Sequence, residues 1–262
     1  NRILDLGLTP AALGTIPNVS YYYGGVISNS PYFKNPANVF IEGRPIGLFY
    51  GLKSNGIWQS ADDMTNQKYY GAAVQAGNIR YVDQNGDNNI TDDDRVILGN
   101  PNPDFTYGFS LNFSYKKLSL NAFFNGSYGN DIVNGNMMRL TNTNGLGNIL
   151  AKSYYDAWTT TNPSNQNPRL NYEETRFSDR LVEDGSYLRL STINLNYDVQ
   201  IKSKFLKQVQ FTVTGKNLWL LSNYSGYDPE VNSFGWDASR IGVDWASYPG
   251  SRAITFGINA KF

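Results

Sequence analysis

Between Phe105 and Tyr115 the sequence alternates for eleven residues without a slip of phase, and this stretch restricts the fold more than any other. Odd positions read Phe105, Tyr107, Phe109, Leu111, Phe113 and Tyr115, while even positions read Thr106, Gly108, Ser110, Asn112 and Ser114. Side chains on a strand point alternately to its two faces, so the pattern predicts one ring-rich face and one small, uncharged polar face. Lys116-Lys117 then turns the chain, and Leu118, Leu120, Ala122 and Phe124 alternate with Ser119, Asn121, Phe123 and Asn125, which predicts an antiparallel hairpin. The pattern returns in Ile193, Leu195, Tyr197 and Val199, in Val209, Phe211 and Val213, and at the end in Ile254, Phe256, Ile258, Ala260 and Phe262. The connection from Lys202 to Lys207 is short enough for a tight turn on one rim.

A β-sandwich also alternates polar and apolar positions, but its strands average about 5–6 residues, whereas a tilted strand needs about 9–11 to cross a bilayer. Segment length, the uncharged polar face and the rings at strand ends all favour membrane strands with an aqueous bore and aromatic girdles. Short turns alternate with long Asn-, Gly-, Asp- and Thr-rich connections, roughly residues 53–104 and 131–185, as periplasmic turns alternate with extracellular loops. In the second loop Leu146, Ile149, Leu150, Ser153, Tyr154, Ala157 and Trp158 recur at helical spacing, predicting a short amphipathic helix that ends before Thr161-Asn162-Pro163. The fold class expected is therefore all-β: an antiparallel transmembrane β-barrel with long extracellular loops, to which about seven to nine strands of this chain would contribute.

Composition closes most other routes. His and Cys are both absent, which removes disulfides, thiolate metal sites, cysteine nucleophiles and any Ser-His-Asp triad within the chain. The 22 basic residues balance 22 acidic ones, so no broad attraction to nucleic acid is expected. The pairs Asp62-Asp63 and Glu173-Glu174 read as solvated charge and not as glycosidase carboxylates. Trp58, Tyr69, Tyr70, Trp219, Trp236 and Trp245 suit sugar stacking, interface anchoring or loop packing equally. No enzyme activity is expected. The chain opens at Asn1 with neither Met nor a leader, as a processed or partial chain would, and a signal peptide is expected upstream.

One segment carries ligand chemistry. In residues 83–94, Asp83, Asn85 and Asp87 supply side-chain oxygens at positions one, three and five of a 12-residue loop. Asn89 supplies a backbone carbonyl at position seven, Ile90 the apolar residue at eight, and Asp94 a carboxylate at twelve. That spacing wraps a hard cation, with calcium favoured over magnesium because it accepts six to eight oxygens in flexible geometry. The loop departs from the pattern at position six, where Asn88 replaces Gly, and at position twelve, where Asp replaces Glu. A plain Asn85-Gly86 turn among solvated carboxylates is the alternative reading.

In order along the chain, Gly43-Arg44-Pro45-Ile46-Gly47-Leu48-Phe49-Tyr50-Gly51, Asn55-Gly56-Ile57-Trp58, the 83–94 loop with Arg95-Val96-Ile97-Leu98-Gly99-Asn100-Pro101, and Tyr107-Gly108-Phe109 resemble a run found near the C-terminus of SusC/RagA-family TonB-linked transporters. Glu183-Asp184-Gly185-Ser186-Tyr187-Leu188-Arg189-Leu190, Lys216-Asn217-Leu218, the 224–230 segment, Tyr248-Pro249 and the closing Phe262 extend the resemblance over almost the whole chain. It implies the C-terminal part of a 22-stranded outer-membrane barrel, with the plug, a TonB box and the remaining strands upstream. It also implies a SusD-like surface lipoprotein closing over the extracellular mouth, TonB as the motor, and an oligosaccharide or peptide as substrate in a Bacteroidetes-type Gram-negative cell. Phe256 and Phe262 would by resemblance belong to the signal read by the insertion machinery. The competing reading is a secreted calcium-stabilised β-sandwich that binds glycans; a barrel esterase or protease would lack its histidine base.

Overall fold

The computed structural model describes residues 1–28, 35–144, 147–172, 176–201, 205–230 and 233–262. The chain folds as two compact units, each assembled from three separated segments. One comprises Pro103–Asn130, Asp184–Pro229 and Tyr248–Phe262 and consists of a single five-stranded sheet with its turns. We number its strands β1 (Phe105–Tyr115), β2 (Leu118–Tyr128), β3 (Tyr187–Gln200), β4 (Gln208–Ser222) and β5 (Ala253–Lys261). Each strand pairs antiparallel with its neighbour in sequence, so the sheet is a meander.

The predicted hairpin is present in full register, from Phe105 opposite Tyr128 to Tyr115 opposite Leu118. Lys116 makes the reversal in the left-handed region, at φ 55°. The second short connection is closed by Ile201 donating from its backbone N–H to the Lys207 carbonyl at 3.1 Å. Lys202, within that connection, lies outside the described residues. Both short turns sit at one end of the sheet, and the long connections join the strand ends at the other.

Strand number needs correction. Length alone suggested seven to nine membrane-length strands, but among the described residues only these five reach nine residues, and the other strands have five or fewer. The reason is burial on both faces. Leu48–Leu52 and Asn38–Ile41 are buried at every position, so their apolar residues serve a packed core instead of one lipid-facing side.

Those short strands belong to the second unit, formed by Asn1–Asn102, Asp131–Glu183 and Glu230–Ser247. Its four-stranded sheet runs in the order Arg95–Gly99, Leu48–Leu52, Asn38–Ile41, Tyr21–Tyr23. One core gathers Ile27, Phe49, Val133, Met138, Phe177 and Val243 from all three segments, and a second joins Leu52, Ile57, Ile79, Tyr81, Trp158 and Tyr172. The long 53–104 and 131–185 connections are thus folded structure that contributes to these two cores.

The amphipathic helix is shorter than its pattern, covering Ala151–Tyr155, and Leu146 lies outside the described residues. Ser153, Ala157 and Trp158 are buried, while Tyr154 is 56% exposed, so the inward face is rotated from the expected one. A second helix, Gly135–Leu140, starts at Asn134, whose side chain accepts from the Met137 N–H. No helix among the described residues is long and apolar enough to cross a membrane.

Candidate functional site

Register decides what each face of the five-stranded sheet presents. Tyr115, Leu118, Tyr197, Phe211 and Ile258 form one row across the strands; Phe113, Leu120, Leu195, Val213 and Phe256 form the next; Leu111, Ala122, Ile193, Gly215 and Ile254 the third. Bulges between Phe123 and Phe124 and between Leu190 and Thr192 keep the face in phase, so that Phe109, Phe124, Leu190 and Trp219 form the fourth row. Every strand therefore presents most of its large apolar residues on the same side, with Phe123 and Leu220 the exceptions on the other. The rings lie open within the sheet: Phe113 is 60% exposed and Phe256 78%. Phe109 stacks on Phe124 with centroids 4.9 Å apart, and Phe105 on Tyr128 at 5.4 Å.

Tyrosines flank this field at both ends, Tyr115 and Tyr197 toward the short turns and Tyr107 and Tyr128 toward the long connections. Ten residues of β1 separate the outer rows, about 34 Å along the strand and about 26 Å in height at a 40° tilt, which matches the ~25 Å apolar band of a membrane barrel. Tyr107 lies flat across β2 and donates its hydroxyl to the Tyr187 carbonyl at 2.8 Å. Only Gly126 allows this, because a Cβ there would stand 2.5 Å from the Tyr107 ring.

The opposite face is polar. Asn112, Asn121, Asn194, Thr214 and Thr255 share one row, and Ser114, Ser119, Asn196, Thr212 and Gly257 another. Amide and hydroxyl groups link neighbouring strands: Asn121 donates to Asn112, and Thr214 donates to Asn194 at 2.7 Å. Toward the long-connection end Arg189, 6% exposed, pairs with Asp228. Sequence patterning anticipated the polar face but not this ladder, since register alone brings the asparagines of separate strands side by side.

The 83–94 loop is a run of side-chain-to-backbone hydrogen bonds. Asp83 accepts from Gly86 at 2.6 Å and Asn88 at 2.7 Å, Asn85 from Asp87 at 2.9 Å, Asp87 from Asn89 at 2.8 Å, and Asn89 from Gly71 at 2.9 Å. Asp94 is fully buried and takes the N–H groups of Gln84 and Thr91 at 2.8 and 2.7 Å, closing the loop and capping the 3-10 turn Asp92–Asp94. Partial burial pushes the Asp83 carboxyl up, but donors from Asn88, Gly86, Asp87 and Asn85 outweigh it and hold the group below the usual carboxylate range. Asn88 adopts the left-handed conformation, φ 62°, that the sixth position of a cation loop requires. As the loop stands, the five predicted ligands follow one another along the turn. No three carboxylate, histidine or cysteine groups converge among the described residues.

Arg95, next in sequence, is a structural pin that the sequence did not disclose. Its guanidinium donates to the Tyr50 carbonyl at 2.6 Å and lies 5.1 and 4.8 Å from the rings of Tyr23 and Tyr50. Of the aromatic residues suited to stacking on a sugar, Trp58 is buried beneath Arg80, Tyr69 packs on Tyr81, and Trp245 packs on the first core. Tyr70 donates its hydroxyl to Asp92 at 2.6 Å, and burial and this bond both raise its pKa. Trp219 belongs to the apolar face of the sheet, which leaves Trp236, 78% exposed, as the open ring of the set. Asp62 accepts from the Gln59 N–H and faces Arg80 at 3.9 Å, and Glu173-Glu174 lie outside the described residues.

A meander with membrane-length strands, one apolar face flanked by tyrosines and one hydrated polar face, open at both edges, is part of a transmembrane β-barrel. Comparison with known proteins carries the identification further. No family model matches the chain. It is 33% identical over 238 residues to TonB-dependent receptor P3 and 34% identical over 231 residues to TonB-dependent receptor P26, both of Formosa agariphila, covering 88% and 85% of this chain. It is 26% identical over 186 residues, 70% of the chain, to TonB-dependent receptor SusC of Bacteroides thetaiotaomicron. Its fold matches the RagAB peptide importer in the open-open state with a TM-score of 0.68 at 23% identity over 92% of the chain. The chain belongs to the SusC/RagA family of TonB-dependent transporters. It spans about a quarter of these relatives, 24% of the P3 receptor and 24% of the matched RagAB chain.

Proposed function

We propose that the intact protein is a TonB-dependent importer in the outer membrane of a Bacteroidetes-type Gram-negative cell, moving oligosaccharides or peptides, and that this chain supplies part of its barrel wall. The observation that carries the reading is the agreement of all five strands on one apolar and one polar face. Such a sheet is stable between lipid and a hydrated bore, and its two unpaired edges require further strands, because each unsatisfied backbone group in hydrocarbon costs several kcal/mol. In this reading the upstream plug takes the pull of TonB, and a SusD-like lipoprotein closes the mouth at the long-connection end. RagAB, a peptide importer, and SusC support a transporter and not an enzyme.

The test is uptake of fluorescent oligosaccharide and peptide pools by cells with and without the intact protein, and with TonB inactivated. Uptake that needs both supports the proposal; uptake that needs neither overturns it. Purification of the intact protein without an accompanying lipoprotein would remove the lid from the reading.

A structural calcium ion on Asp83, Asn85, Asp87, Asn89 and Asp94 is a second proposal, favoured by the left-handed Asn88 at the sharp turn. Asp94 spends both oxygens on backbone N–H groups, so binding would turn at least one of them toward the ion. Calorimetry of the intact protein with calcium, before and after Asp83→Ala and Asp87→Ala, decides it: heat lost with the variants supports the site, and no heat in the unaltered protein rejects it.

A further inference from the structure

The short-turn rim of the sheet carries charge that the import reading does not use. Lys116 and Lys117 form one turn, Lys207 ends the other, and Lys261 closes β5 beside it, its carbonyl accepting the Lys207 N–H at 2.8 Å. All four side chains are exposed. Lys117, Lys207 and Lys261 line one concavity of about 420 Å³ together with Gln200 and Gln208. Lys116 stands on the other side of the rim, its ammonium 5.2 Å from the ring centre of Tyr115, a member of the apolar face.

Among the described residues the side-chain carboxylate at this end, Asp198, is already engaged, accepting from the side-chain amides of Gln208 and Gln210 at 3.0 Å each. The opposite end of the sheet is different: Asp104 and Asp184 flank the long connections, and Arg189 there is matched by Asp228. Positive charge is therefore concentrated at the end where barrels make their short periplasmic turns. A lysine beside an interfacial tyrosine sits at the depth of lipid headgroups, with its stem along the apolar surface and its charge in the phosphate layer.

We propose that this rim binds the phosphate headgroups of anionic phospholipid in the periplasmic leaflet, with Lys116 and Tyr115 meeting the lipid from the outer face and the turn-tip Lys117 and Lys207 adding charge along the rim, while Lys261 stands behind them on the polar face opposite Gln208. The inference rests on the reading of the sheet as membrane-spanning. Continuity of Lys116 with the lipid-facing band favours a lipid over a protein partner or a free anion. A basic residue held near an anionic surface strengthens binding by about fivefold, so Lys116 together with even one turn-tip lysine selects an anionic lipid over a zwitterionic one by more than about tenfold.

The experiment is native mass spectrometry of the intact protein released from bilayers of equal phosphatidylglycerol and phosphatidylethanolamine. The expected result is retained phosphatidylglycerol in at least tenfold excess. The excess should persist in the Lys116→Arg, Lys117→Arg, Lys207→Arg, Lys261→Arg variant and disappear when the same four become Gln. If the Gln variant does not insert, extraction of the unaltered protein at rising salt replaces it, and loss of the excess by about 0.5 M supports the site because such salt screens charge beyond a few ångströms. Equal retention of the two lipids overturns the proposal, as does displacement of phosphatidylglycerol by millimolar inorganic phosphate or an excess that survives the Gln substitutions. A protein that never enters the bilayer overturns the membrane reading itself, a distinguishable outcome.

Discussion

Replacing Leu111 by Lys puts the two-faced sheet to a quantitative test. Leu111 is 58% exposed within the sheet and sits in the third row of the apolar face, four residues from Tyr115 and six from Phe105. At a rise of about 3.4 Å and a tilt of about 40°, it lies roughly 10 Å above the nearer girdle, close to the middle of the band. A lysine there should cost about 2–4 kcal/mol, moderated only as far as its stem reaches toward the girdle. Ser110→Lys, one residue away on the polar face, should cost at most about 1 kcal/mol because its charge stays in water. The assay is reversible urea unfolding of the intact protein in phospholipid vesicles, followed by tryptophan fluorescence. Equal losses, or a larger loss from Ser110→Lys, would refute the face assignment.

Gly126→Ala should strain the sheet by about 1–3 kcal/mol, since the new methyl meets the Tyr187 backbone carbonyl as well as the Tyr107 ring 2.5 Å away; a variant as stable as the parent in the same assay would reject that packing. Phe177→Ala, truncating a ring 1% exposed in the first core, should cost about 3–5 kcal/mol and increase protease cleavage in 131–183 while β1 to β5 stay protected. Asp94→Ala removes the acceptor of two backbone donors and should destabilise the 83–94 loop by about 2–4 kcal/mol, read as faster proteolysis before Arg95. The Asp83 carboxyl is held below its ordinary value, so its contribution should be complete above about pH 4 and be lost as pH falls through the lowered value; Asp83→Asn should weaken the loop at neutral pH and abolish that further acid loss.

The sheet was legible because its period is two and its segments are long. Phe105–Tyr115 and Leu118–Tyr128 could pair face to face in only one phase, and the structure has that pairing. Leu48–Leu52 was not legible in the same way, because a strand buried on both sides has no alternation and its run of apolar residues does not say which core it enters. The folded character of 53–104 and 131–185 was hidden for a related reason: Phe49, Met138, Phe177 and Val243 meet only in three dimensions, from three separated segments. In the cation loop the oxygen spacing was readable, whereas the burial of Asp94 and its two backbone donors depended on chain closure. The lysine rim was present in the sequence at Lys116, Lys117, Lys207 and Lys261, but its unity appears only once β5 is laid beside β4.

The most direct test of the central claim places a single thiol in β5: this chain has no cysteine, and any cysteine elsewhere in the intact protein is first replaced by serine. A fluorophore attached to Phe256→Cys of the intact protein, in vesicles whose lipids carry bromine on their acyl chains, should be strongly quenched. The same probe on Thr255→Cys, one residue along β5 and on the polar face, should be quenched little and should respond instead to aqueous iodide. Bromolipid quenching at Thr255 with iodide access at Phe256 would contradict the assignment of the apolar face to lipid.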